Sequence, residues 1–389
     1  MGTLDDLGGV RPRRVAYLHI GLPKTGTSYL QNVFWRSREV LPDQGLTLLP
    51  ERRRDHLGVV LAVRNMFQPY DDEFDRDVLS RLSAEAAEAP GAVLVSHESF
   101  GAAKPERARL LLDALGDFEF HVVVTVRDLA RQIPSAWQQR IQARETFGYD
   151  EFVDAVLARD PIASDFWWNQ DLAAVLDRWS QVVDADRIHV VTCPPPGAPR
   201  GLLLDRFCSV IGIDPATLDR DASTNNVALG QAQAELVRQV NVALGDRLPD
   251  VRNGYGRVGQ TFLGDRILRP QGGRPARMPE RTRAQVAELT ASWKDFIADR
   301  PFQVVGDLAD LDVEAADFEP TGTEVSDGEL VEVATRALAD ILVRRHDEMD
   351  QREAMTQRVA ELEELLARAQ SGRGAVRNLA RRAIGRRPE

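Results

Sequence analysis

His19-Ile-Gly-Leu-Pro-Lys-Thr-Gly-Thr-Ser-Tyr-Leu-Gln31 decides the reading of this chain. Gly21 and Gly26 stand five apart and Thr27 and Ser28 follow. The spacing approaches the phosphate-binding pattern GxxxxGK[ST], in which lysine comes directly after the second glycine. Here Thr27 takes that place, and the only lysine, Lys24, lies inside the loop. The apolar, β-branched run Val15–Ile20 precedes the stretch and reads as a strand. The apolar positions Leu30, Val33 and Phe34 follow it and read as one face of a helix. A strand, a glycine loop and a helix start together present unpaired backbone N–H groups and the positive end of a helix dipole. Gly21 and Gly26 permit close backbone approach, Thr27 and Ser28 add hydroxyls, and Lys24 adds a full charge. The stretch therefore reads as an anion-binding loop.

Further runs repeat the strand pattern: 46–49, 92–96, 120–126 and 187–192. Those at 92, 120 and 187 are almost continuously apolar, as expected of parallel strands buried on both faces. Amphipathic segments separate them; Ile133, Trp137 and Ile141 mark one. The expectation is an α/β fold with a central parallel sheet flanked by helices. After residue 199 the pattern turns helical over 200–211, 226–244, 280–300 and 327–349. The Gly- and Arg-rich segment 252–278 reads as a mobile loop. The expected organisation is an unstructured N-terminus (1–14), one catalytic domain (15–349), a C-terminal helix (350–370) and a basic tail (371–389). No internal repeat is visible.

Bulk composition narrows the function. The 389 residues carry a net charge of −11, with 43% hydrophobic and 28% charged residues. A surface this acidic does not attract nucleic acid. The tail is the exception, with Arg373, Arg377, Arg381, Arg382, Arg386 and Arg387 against Glu389. It reads as a solvated end or as a weak anchor for anionic lipid or a partner. Met355, Val359, Leu362, Leu366 and Ala369 form a two-heptad stripe, too short to hold a coiled coil alone, so packing on the domain is expected. Cys193 and Cys208 sit among apolar residues, with no disulfide framework and no metal-ligand spacing. No run is long and apolar enough to span a membrane, and the N-terminus lacks a secretory apolar core. A cytoplasmic protein with buried, reduced thiols is expected.

Lys24 argues against a nucleoside triphosphate, which needs lysine across its β- and γ-phosphates and a hydroxyl on magnesium. A lysine within the loop suits a shorter group, one 5′-phosphate with a single transferable group. The run 120–126 ends in Arg127 before Asp128, so no acidic strand end of the Walker-B kind is evident. Leu22-Pro-Lys-Thr-Gly-Thr-Ser-Tyr-Leu-Gln31 resembles the 5′-phosphosulfate loop of sulfotransferases that use 3′-phosphoadenosine 5′-phosphosulfate (PAPS). The resemblance extends over roughly 15–315. It implies a P-loop-like sulfotransferase fold and a cofactor site at Lys24, Thr25, Gly26, Thr27 and Ser28. The family's 3′-phosphate site, an arginine at a strand end with a serine eight residues on, corresponds to Arg127 and Ser135. Arg127 can take a phosphate bidentately, and Pro134 fits a first helical turn, which would put Ser135 among unpaired N–H groups. Arg131 reads as a solvated helix face. The family's later Arg-Lys-Gly run is absent; Arg252-Asn-Gly-Tyr-Gly-Arg257 is a degenerate candidate.

Sulfuryl transfer to a hydroxyl also needs a proton acceptor. The family uses glutamate or histidine. Here the run 92–96 leads into His97-Glu98, at the carboxyl edge where open α/β sheets bind ligands. Successive strand residues point oppositely, so one of the two aims into the cleft. Glu98 is favoured, with His97 the alternative. His19 lies within a strand and reads as structural. Asp165-Phe-Trp-Trp-Asn-Gln170, with Trp137 and Trp179, reads either as core or as an aromatic acceptor pocket. The expected activity moves a sulfuryl group from PAPS to a carbohydrate or small-molecule hydroxyl, leaving 3′-phosphoadenosine 5′-phosphate (PAP). A P-loop kinase or phosphotransferase is the alternative, and an anion- or partner-binding module working through the C-terminal segment is a third reading. The pattern specifies no oligomeric state.

Overall fold

The computed structural model describes residues 14–384 apart from 70, 73–75, 200, 221–227, 250 and 321–323. In chain order the elements are β1 (Val15–Gly21), α1 (Thr27–Arg36), β2 (Leu46–Leu49), α2 (Arg53–Arg64), α3 (Val78–Glu88), β3 (Ala92–Ser96), α4 (Pro105–Leu115) and β4 (Glu119–Val126). Then come α5 (Leu129–Gln142), α6 (Tyr149–Ala158), α7 (Ser164–Gln170), α8 (Leu172–Ser180), β5 (Ile188–Thr192), α9 (Leu202–Ile211) and α10 (Gln231–Leu244). The last are β6 (Met278–Pro279), α11 (Arg283–Ala298), β7 (Gln303–Val305), β8 (Phe318–Glu319) and α12 (Asp327–Ile384).

Six strands form one parallel sheet in the order β2-β3-β1-β4-β5-β7. Both faces are covered, which is why the strands are continuously apolar. On one face α1 and α9 bury Leu30, Val33, Phe34, Leu204 and Phe207 against Leu48, Leu94, Val123 and Val191. On the other, α2, α5 and α8 pack Val59, Ile133, Trp137 and Trp179 against Leu18, Val95, Val122 and Val124. The expected α/β architecture is present, and strands 46–49 and 92–96 fall where the sequence places them. β7 was not expected; Gln303 and Val304 are exposed at the sheet edge, only Val305 packs inward, and the strand gives no apolar run.

The chain leaves β1 for β2 on one side, and leaves β4 for β5 on the other. The carboxyl ends of β1 and β4 therefore flank a crevice, the usual ligand position in open α/β sheets. The register of β1 on β4 shifts between His19 and Gly21. This bulge re-aims the chain as it enters the glycine loop.

Three expectations change. Residues 252–278 are not one open loop: Val251–Leu268 winds in wide helical turns, followed by a short turn at Arg269–Gln271. Buried Tyr255, Ile267 and Leu268 anchor it, and the Tyr255 hydroxyl donates to Asn241 Oδ1 at 2.5 Å. A Cβ at Gly259 would meet the Tyr255 ring at 2.3 Å, so glycine there lets the ring pack. Second, 350–370 is no separate helix but part of the continuous α12. Its stripe does not pack on the domain, because Met355, Val359, Leu362 and Leu366 are all exposed. Third, Arg14 is ordered: its guanidinium donates to Ala86 O and Ala89 O. The rest of the expected unstructured N-terminus, 1–13, lies outside the described residues, as do the side chains of the basic tail. Among the described residues, no helix is long and apolar enough to cross a membrane.

Replacing Tyr255 with alanine should cost about 3–5 kcal/mol in urea unfolding, as for a buried aromatic. A loss below about 0.5 kcal/mol, typical of surface positions, would show that 251–268 is not packed as described.

Candidate active site

The loop between β1 and α1 is held from beneath. The Thr25 hydroxyl donates to Leu22 O and lies 2.6 Å from Thr125 Oγ1 on β4. Leu22 N donates to Thr125 O at 2.6 Å, and the Cys193 thiol donates to Thr25 O at 3.0 Å. Behind them the buried His19 ring sits 2.8 Å from Ser96 Oγ on β3 and 3.2 Å from Thr125 Oγ1. Burial, the dominant effect, pushes the His19 pKa down to about 4, so the ring bridges as a neutral imidazole. His19 is structural, as the sequence implies, and Thr25 turns its hydroxyl inward to the sheet. Both cysteines are buried and free; burial pushes each thiol up to about 12.

This anchoring fixes an unusual backbone. Lys24 has φ 68° and Gly26 φ 84°, both left-handed. For lysine that region costs about 1–2 kcal/mol, and such outliers persist where surrounding structure over-determines them. Left-handed residues in a loop turn successive N–H groups toward one concavity, the geometry of an anion nest. Gly26 also occupies the N-cap of α1, and no side chain caps that helix. The first-turn N–H groups, at Thr27 and exposed Ser28, thus face the loop without a side-chain acceptor. A Cβ on Gly26 would lie 2.5 Å from Leu203 Cδ2.

Lys24 presents an exposed surface, but its ammonium has dense protein around it. Desolvation lowers its pKa most; Arg269 and Arg127 lower it further, and Glu98 and Asp265 oppose. Arg269 opens the short turn that follows the helical stretch, its guanidinium donating to Asp265 Oδ1 at 2.7 Å. The cation brought beside Lys24 is therefore Arg269 rather than Arg252 or Arg257: Arg257 is exposed, and the Arg252 side chain lies outside the described residues.

Arg127 leaves the end of β4 and reaches the loop, its Nη1 donating to Lys24 O at 3.3 Å. Its Nε is buried without a hydrogen-bond partner. The next residue corrects the expectation for Ser135. Asp128 caps α5, accepting from Arg131 N at 2.8 Å, and its carboxylate also takes Arg131 Nε. The helix thus begins six residues before Ser135. Pro134 lies inside it, and the Ser135 hydroxyl donates back to Arg131 O at 3.0 Å, a common mid-helix bond. Ser135 is not among the unpaired N–H groups, and Arg131 is tied to Asp128 rather than solvated.

β3 stops at Ser96, and His97 caps a short turn at Glu98–Ala102. His97 Nδ1 accepts from Ser99 N at 3.1 Å. That nitrogen carries no proton, so the neutral ring holds its proton on Nε2. Desolvation lowers the His97 pKa, with Glu98 opposing and Arg64 adding. Glu98 Oε2 accepts from Gln31 Nε2 at 2.9 Å. Burial pushes the Glu98 pKa up, but His97, its own backbone N–H, Gln31 and His19 outweigh it, and the net direction is down. Glu98 is held as a carboxylate. Its backbone also packs against Gly21, where a Cβ would come within 3.0 Å of Glu98.

Two cavities meet at this pair. Glu98 lines a cleft of about 250 Å3 with Arg64, Gln139, Arg140, Asp165, Asn169 and Gln170 on its polar side and Pro23, Ala136, Ala143, Phe152 and Phe166 on its apolar side. His97 lines an aromatic pocket of about 180 Å3 with Gln31, Phe34, Trp35, Arg53 and His56. Of the two readings of the tryptophans, core or acceptor pocket, the structure shows core for three, Trp137, Trp167 and Trp179. The Trp168 indole N–H donates to Ala102 O. Phe166 and the polar residues of 165–170 line the cleft instead. Sequence reading missed Gln31, Arg64 and Arg269. Of these only Gln31 left a signal, four residues after Thr27 and hence on the same face of α1.

No protein-family model matches this chain, and no curated protein or solved structure does.

Thr25→Val keeps the shape but removes the buried hydroxyl. It should cost about 1–3 kcal/mol in chemical unfolding, the penalty of leaving buried polar partners unmet. Unchanged stability would mean that Thr25 does not hold the loop.

Proposed function

We propose that the protein is a PAPS-dependent sulfotransferase of the P-loop-like sulfotransferase fold. The observation that carries this reading is the convergence on one anchored loop of left-handed Lys24, the uncapped N-terminus of α1 and the Arg127 guanidinium. One phosphate fits between Lys24 and the N–H groups of Gly26, Thr27 and Ser28. Arg127, part-exposed beside the loop and 3.9 Å from the Asp128 carboxylate through its Nε, supplies a cation for a second phosphate at the end of the neighbouring strand. A phosphosulfate nucleotide with an additional 3′-phosphate needs two such places. Ser135 is not used in this account, because its hydroxyl is bonded to its own helix.

The P-loop kinase reading is disfavoured by Asp128. It is the acidic residue after β4, but its carboxylate caps α5 and binds Arg131.

The reaction is an in-line displacement at sulfur. The acceptor hydroxyl oxygen forms a bond to sulfur as the bond from sulfur to the 5′-phosphate oxygen breaks, and PAP departs. Glu98 takes the hydroxyl proton. His97 is the poorer base, since its unprotonated nitrogen is already bonded to Ser99 N. Lys24 and the loop N–H groups stabilise charge building on the 5′-phosphate, in place before the reaction begins. The acceptor enters along the cleft that Glu98 lines. Its amides, arginines and Asp165 suit a carbohydrate or another polyhydroxylated molecule, with Phe166 as one apolar wall.

PAP release from PAPS over a panel of carbohydrate and polyol acceptors tests this directly. Glu98→Gln should lower turnover about 100-fold or more while leaving nucleotide affinity within a few-fold. The Glu98 pKa lies below its ordinary 4.5, and the charged form is the active one. Activity should therefore persist on acidification until the pH falls below 4.5. An acid limb that survives Glu98→Gln but disappears in His97→Gln would transfer the role to His97. No turnover with PAPS would contradict the reading as a whole.

A further inference from the structure

α12 has two parts. Near its start Val333 and Ala337 are buried and Ile341 is half-buried against the domain core, and the Arg344 guanidinium donates to Arg266 O at 3.1 Å. From Leu342 to Ala367 every residue is exposed. Helices in water draw most of their stability from packing an apolar face, and beyond Arg344 no apolar residue of this stretch is buried among the described residues. It nevertheless carries a regular apolar seam. Met355, Val359, Leu362 and Leu366 follow the 4-3-4 spacing of alternating d and a positions and are 70%, 49%, 50% and 59% exposed. In sequence the register continues to Ala369.

We infer that this seam pairs reversibly with the same seam of a second copy, as a short parallel two-stranded coiled coil. Two heptads need not hold it alone, because each helix is already anchored in its own domain through Val333, Ala337 and Ile341. Two features choose that occupant. The first is residue type: β-branched Val359 at a, with Leu362 at d, is the combination that favours two parallel strands. The second is charge. With Val359 at a, Arg358 falls at g and Glu363 at e. A g residue faces the e residue five positions on in a parallel partner, so Arg358 of each copy meets Glu363 of the other. Within one helix the two do not face each other, since only residues three and four apart do; Arg358 instead pairs with Glu361 at 2.7 Å. The same register puts Arg345, Glu348 and Arg352 at a, d and a between the domain and the seam. Like charges there would face each other in a parallel pair. They keep the helices apart next to the bulky domains and start the pairing at Met355.

Sedimentation of the full-length protein over a concentration series tests the inference. The expected result is a monomer–dimer equilibrium that Val359→Asp weakens about tenfold or more, with helix content and PAP binding unchanged. Arg358→Glu should weaken association, and adding Glu363→Arg should restore it; a structural effect within one helix would not show that rescue. Leu366→Cys should form a disulfide between two copies on mild oxidation, because a parallel pair sets identical a positions side by side. A strict monomer would overturn the inference. A dimer insensitive to Val359→Asp, or an associating Leu366→Cys variant that does not cross-link, would overturn the parallel pairing.

Discussion

The Thr25 hydroxyl, wedged between Leu22 O and Thr125 Oγ1, is the contact on which the site depends. It ties the loop to the next strand and locks the turn that places Lys24 at φ 68°. His19 extends the tie to Ser96 on β3, and Cys193 extends it to the region after β5. Three neighbouring strands thus fix one short loop from below. The loop's upper side is left to backbone N–H groups, a lysine and an uncapped helix start. Preorganised donors of this kind need no reorganisation when charge develops in front of them.

The sheet then sets distances that no local sequence could. β4 lies beside β1, so the residue after β4, Arg127, falls against the Lys24 carbonyl. β3 lies on the other side, and the turn after it brings Glu98 onto Gly21. A cation and a carboxylate therefore flank the loop from opposite neighbours. Gly21 is required twice, for its left-handed φ of 104° and for the closeness of Glu98. Which cleft each base candidate lines is set by the turn that follows β3. His97, its cap, lines the aromatic pocket, whereas Glu98, its first residue, lines the larger cleft and reaches Gln31 between them.

Much of the framework was readable in the sequence, since strands buried on both faces leave continuous β-branched runs. The loop was readable because glycine spacing and an interior lysine are local features. The misreadings share one cause: tertiary contacts overrode local composition. Pro134 reads as a helix start, but Asp128 offers a stronger one, a capping carboxylate with Arg131 three residues on. The Gly- and Arg-rich 252–278 reads as a loop, yet one buried tyrosine and the Ile267-Leu268 pair hold much of it. The tryptophans read either as core or as a pocket wall; Trp137, Trp167 and Trp179 are core, and Asp165, Asn169 and Gln170 line the cleft. Arg269 left no signal, because its place beside Lys24 is set by the path of the whole 251–268 stretch.

The proposed function requires the loop and Arg127 together to hold a nucleotide with phosphates at both the 5′ and 3′ positions. Calorimetry with PAP, its 3′-dephospho analogue and magnesium-ATP, on the wild type and Arg127→Ala, tests it most directly. The account predicts that PAP binds tightest to the wild type, and that Arg127→Ala removes most of the advantage of PAP over the 3′-dephospho compound. Tighter binding of magnesium-ATP, or an equal loss of both adenosine phosphates in Arg127→Ala, would contradict it.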